Sequence, residues 1–67
     1  MISLRSPCAQ AVLLTVPPFW TERTRIRSWV ARRRLMSDGT FAQVLFFLVH
    51  AGLIVCDHRT AYRLVPS

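Results

Sequence analysis

Residues 41–52 read FAQVLFFLVHAG and follow closely on residues 23–35, RTRIRSWVARRRL, so the most apolar run of this 67-residue chain abuts its densest positive charge. How that junction is read decides the fold. Ten of the seventeen residues from Thr40 to Cys56 are Phe, Leu, Ile or Val. At a bilayer centre such residues contribute roughly −0.3 to −0.6 kcal/mol each, opposed here by Gln43, His50 and Gly52. A helix of that length spans about 25 Å, a little short of the roughly 30 Å hydrocarbon core. Phe46, Phe47, Leu48 and Val49 cover every side of a helix, and a helix apolar all round lies in a deep core or in lipid. A chain this short has little to bury it with. The first reading is therefore mainly α: a basic amphipathic helix over about 22–36, then a hydrophobic, membrane-spanning helix over about 40–56.

The segment before the run supports the same picture. Thr21 is a candidate N-cap, with Glu22 in the favourable first turn. Ile26, Trp29, Val30 and Met36 share one arc of a 3.6-residue wheel, and Arg23, Arg27 and Arg34 share another. Arg33 intrudes on the apolar arc, and Arg25 and Arg32 lie elsewhere. So many like charges repel, and the helix needs an anionic surface or a packed partner. Ser37–Asp38–Gly39 is a turn signal that ends it. Six arginines (23, 25, 27, 32, 33 and 34) precede the apolar run and two (59 and 63) follow it. The positive-inside rule then places the N-terminus on the cytosolic or matrix side of a membrane. In this reading the six arginines contact anionic lipid, and Phe19, Trp20 and Trp29 are interfacial anchors. Gln43, His50 and Gly52 would mark the side of the span that faces a larger membrane protein, which the small chain would regulate.

All nine basic residues are Arg, the net charge is +6, and Glu22, Asp38 and Asp57 are the only acids. No two carboxylates are close enough in sequence to suggest an acid/base pair. With Gly39 and Gly52 the only glycines, there is no phosphate-binding loop. The chain reads as a non-enzyme without cofactor, metal or small-molecule substrate. Cys8 and Cys56 form no CxxC pair and read as free thiols. The whole reads as one small unit. Residues 1–18 form a weakly structured segment stopped by Pro17 and Pro18, and 57–67 a short tail. Seven Arg, six Ser or Thr and one acid in the first 36 residues also suit mitochondrial targeting.

A second reading starts from punctuation. Gly52 is well placed as the left-handed residue that closes a helix running from Thr40 to Ala51. LIVC after it is strand-like, DHRT can form a hairpin loop, and AYRLV a returning strand. Residues 44–66, VLFFLVHAGLIVCDHRTAYRLVP, resemble the end of a winged helix-turn-helix domain. In that family an L-x-x-L-x-x-x-G-L helix leads into a two-stranded wing, and Leu45, Leu48, Gly52, Leu53, Tyr62, Arg63 and Leu64 stand at matching positions. The resemblance covers about a third of the chain and implies a small α+β, nucleic-acid-binding domain with a C-terminal hairpin. Phe46, Phe47 and His50 depart from it, because a recognition helix needs side chains that hydrogen-bond base edges. The resemblance then implies that this helix is buried in a dimer and that the arginines of 22–36 contact phosphates. A third reading is a weakly selected short translation product without defined function.

Overall fold

A computed structural model describes residues 4–57 and 60–65. The chain begins with helix α1 (Pro7–Thr15), where Pro7 occupies the first turn, in which its missing N–H costs nothing. Its apolar positions Ala9, Val12 and Val16 recur at helical spacing and are buried together with Ala11. Pro17 and Pro18 then turn the chain into a short strand, β1 (Thr21–Glu22). Helix α2 (Arg23–Arg33) follows at once and buries Ile26 and Val30. Its first amide, Arg23 N–H, donates to the Thr60 carbonyl at 2.8 Å, which ties the helix start to the far end of the chain. Residues 34–37 form the connection to helix α3 (Asp38–His50). Ser37 caps α3 by accepting the Thr40 N–H at 3.2 Å, with Asp38 in the first turn. Phe41, Val44, Leu45 and Leu48 recur at i, i+3, i+4 and i+7 and are buried.

Gly52, at φ +77°, ends α3. Its N–H donates to Val49 O at 3.1 Å, and Leu53 N–H to Leu48 O at 3.1 Å, the paired bonds of a Schellman closure. The chain then pairs β2 (Ile54–Cys56) with β3 (Ala61–Leu64), and β3 also pairs with β1. The result is a three-stranded antiparallel sheet in the order β1-β3-β2. α1 packs on both α2 and α3, and the core runs through Val12, Ile26, Val30, Phe41, Leu45, Leu48 and Ile54.

The membrane-spanning helix over 40–56 is therefore corrected. α3 stops at His50 and residues 54–56 belong to a strand, so the apolar run is divided between two elements. Thirteen residues of helix reach about 20 Å. Among the described residues no helix is long and apolar enough to cross a membrane. The mainly α assignment becomes α+β, and the transmembrane location with a cytosolic or matrix N-terminus loses its basis. The argument from all-round apolarity fails for a physical reason: one side of α3 is covered by α1 and β2, while Phe46 on the other is 66 % exposed. The helix closing at Gly52 and the hairpin after it lie where the winged helix-turn-helix resemblance puts them. Residues 58–59, on which part of the expected DHRT loop falls, and residues 66–67 lie outside the described residues.

Gly52→Ala gives a clean test of the closure. A Cβ at this position would meet nothing within 4 Å, so the cost is conformational alone. Forcing a left-handed residue to carry a Cβ costs about 1–2 kcal/mol. The midpoint of thermal unfolding should drop by roughly 4–15 °C. An unchanged midpoint would mean that the closure is not left-handed.

Candidate nucleic-acid interface

The arginines of α2 fall on two flanks because the helix turns 100° per residue. Arg23 and Arg27 point towards α3, half-buried, with their guanidinium groups 5.6 and 5.5 Å from the Phe41 ring centroid. Arg27 is fully committed there. Its Nε donates to Asp38 Oδ1 at 3.0 Å and its Nη2 to the Met36 carbonyl at 2.7 Å. Asp38 is 93 % exposed, so the ion pair adds little energy; its role is to hold the α2–α3 connection. Arg25 and Arg32 lie on the opposite, outer flank, and Arg33 and Arg34 at the C-terminal end of α2, all exposed. Arg32 and Arg33 in the last turn also complement the helix dipole. Among the described residues none of Arg25, Arg32, Arg33 and Arg34 makes an ion pair.

The outer flank meets the aromatic residues. Phe19, Trp20 and Trp29 are 63, 51 and 38 % exposed. With Glu22 and Arg25 they line a shallow groove of about 300 Å³. Thr21 Oγ1 donates to Phe19 O at 3.0 Å and fixes the bend that presents Phe19 and Trp20. Strand register supplies a further member. Thr21 faces Tyr62, so the antiparallel ladder brings Arg63 beside Trp20, its guanidinium 5.2 Å from the ring centroid. The sequence places Arg63 in the wing strand of the winged helix-turn-helix resemblance and not with the arginines of 22–36. Its place beside Trp20 follows from a strand pairing that is not visible without the fold.

The expected partner-facing positions lie elsewhere. Gln43 and His50 are exposed on the outer face of α3, in line with Phe46, whose ring centroid is 4.2 Å from that of His50. Gly52 lies beyond the helix in its closing turn. Ala42, Phe46, His50, Cys56 and Tyr62 line a groove between α3 and the hairpin. Burial, then the neighbouring Cys56 thiol, raises the pKa of the Tyr62 hydroxyl above its ordinary value, so it is neutral at physiological pH. Cys8 is half-buried and Cys56 exposed, both as free thiols. Among the described residues no three His, Cys, Asp or Glu side chains come together in a way that could hold a metal ion.

No protein-family model matches this chain, and neither does any curated protein or solved structure.

Proposed function

We propose that the protein binds nucleic acid by arginine contacts to phosphate, with α3 making no sequence-specific readout. One observation carries this reading: Arg25, Arg32, Arg33 and Arg34 are exposed and unpaired among the described residues, on a chain of net charge +6. A guanidinium stays charged and forks onto phosphate oxygens, so such a surface favours polyanions. The resemblance to a winged helix-turn-helix domain supports the same class of ligand. α3 is poorly equipped to read bases, because its outer stripe is Gln43, Phe46 and His50, and only Gln43 offers the paired donor and acceptor that adenine requires.

Fluorescence anisotropy with a labelled oligonucleotide of mixed sequence tests the proposal. The logarithm of the affinity should fall linearly with the logarithm of salt, by about 0.7–0.9 per phosphate neutralised. Replacing Arg25, Arg32, Arg33 and Arg34 together by Gln should flatten that slope by roughly three. Absence of binding at low salt, or a quadruple variant with an unchanged slope, would discard the reading.

A further inference from the structure

We propose that Phe19, Trp20 and Trp29, with Arg25 and Arg63, form a stacking platform for unpaired bases, so that the ligand is single-stranded nucleic acid. The inference rests on the nucleic-acid reading above and names which form of the polymer is bound.

Three large aromatic side chains share one side of a small fold, Phe19 and Trp20 more than half exposed and Trp29 38 % exposed. Each would stabilise the fold more if buried, because apolar surface gains free energy on leaving water. They are not scattered: Phe19, Trp20 and Trp29 line one groove, reached from the turn before β1 and from the outer flank of α2. Two arginines frame them. Arg63 already lies over the Trp20 ring, and a guanidinium that stacks on a ring can also donate its in-plane N–H groups to phosphate. Arg25 stands in the groove with Trp29, and Arg32 follows two turns after Arg25 along the same exposed flank of α2. Glu22 is the one carboxylate at the groove.

Alternating aromatic faces and guanidinium groups match a polymer that alternates base and phosphate. Every base has a π-face, so stacking on aromatic side chains is tolerant of sequence, and a basic track follows the backbone. In a duplex the base faces are already stacked on one another. The aromatic residues would then meet only sugar and phosphate, and the base edges in the major groove would have to be read by α3, whose outer stripe offers Gln43 alone for paired hydrogen bonds to a base. The positive charge framing the patch selects a polyanion over a neutral protein surface.

The test uses the full chain with three probes: an oligothymidine strand, a hairpin duplex carrying the same number of phosphates, and vesicles containing phosphatidylserine. Anisotropy and tryptophan fluorescence are read together. The single strand should bind at least about tenfold more tightly than the duplex and quench tryptophan emission. Trp20→Ala and Trp29→Ala should each weaken single-strand binding about tenfold and leave duplex binding nearly unchanged. Trp20→Leu, which keeps the apolar bulk but not the planar ring, should behave like Trp20→Ala and guards against a folding defect. Arg63→Lys should also weaken single-strand binding, because charge is kept and stacking is lost. Equal affinity for strand and duplex, with tryptophan variants unaffected, would overturn the platform and leave the phosphate-binding reading standing. No binding to either nucleic acid would overturn both, and binding to vesicles alone would reassign the surface to lipid.

Discussion

A chain shortened to residues 17–67 is expected to lose its cooperative unfolding transition and most of its helical signal. α1 and its C-cap residue supply Ala9, Ala11, Val12 and Val16 to the core, all at most 9 % exposed, and α1 packs on both other helices. Burial of a Val side chain is worth about 1.5–3 kcal/mol, so losing Val12 and Val16 alone removes several kcal/mol. The facing sides of α2 and α3 would be uncovered at similar cost. A domain of this size lies near the low end of the usual stability of about 5–15 kcal/mol. What remains cannot compensate, since α2 carries five of its eleven residues as arginine and repels itself when unpacked. Starting the shortened chain at Pro17 keeps the carbonyl that accepts the Leu64 N–H at 2.8 Å, so the outcome reports on α1 packing and not on a broken sheet contact. Circular dichroism with urea denaturation of the full and shortened chains gives the answer. A shortened chain that unfolds at the same midpoint would show that α1 is dispensable to the core.

That expectation also explains why the apolar run misleads. Hydropathy sums over 41–56 treat the run as one object, and a left-handed residue at Gly52 is invisible to such a sum. The signals that divide it are conformational: a glycine where a helix can close, then the β-branched pair Ile54–Val55, which suits a pleated surface. The same sums undervalue α1. Ala9 and Ala11 contribute little hydropathy, yet small side chains let helices approach closely, and both belong to the buried core. Once α1 is in place, the apolar side of α3 has a protein partner and no longer needs lipid.

In the sequence the arginine cluster and the aromatic residues Phe19, Trp20 and Trp29 read first as contacts to a lipid surface, yet among the described residues no helix is long and apolar enough to cross a membrane. What sequence could not supply was which arginines share a side with which rings. A wheel separates Arg23 and Arg27 from Arg25, but only the fold shows that the first pair lies against Phe41 while Arg25 joins the aromatic groove. Arg63 enters through strand register, which depends on β3 pairing with a strand from the other end of the chain. Long-range pairing of that kind leaves no local signature.

Phe41→Ala should be the most damaging single substitution, costing about 3–5 kcal/mol. Phe41 is 1 % exposed and the largest fully buried side chain. Its truncation leaves a cavity between α3 and α2 and removes the ring over which Arg23 and Arg27 lie, each contact adding about 0.5–1 kcal/mol when partly exposed. At roughly 4–8 °C per kcal/mol for a domain of this size, the melting midpoint should fall by at least about 12 °C, and a variant with no transition above room temperature counts as unfolded. Phe41→Leu fills most of the space but offers no π-face, so it separates the two contributions and should retain a cooperative transition at a reduced midpoint. Differential scanning fluorimetry of the two variants, backed by urea titration, measures both. A Phe41→Ala midpoint within a few degrees of the parent would mean that α2 and α3 are held together chiefly by the Arg27–Asp38 pair and the Met36 carbonyl, and an added Asp38→Asn substitution would then have to be the damaging one. With Phe41 in place the order is reversed: the exposed pair is a minor contribution, and Asp38→Asn alone should cost less than about 1 kcal/mol.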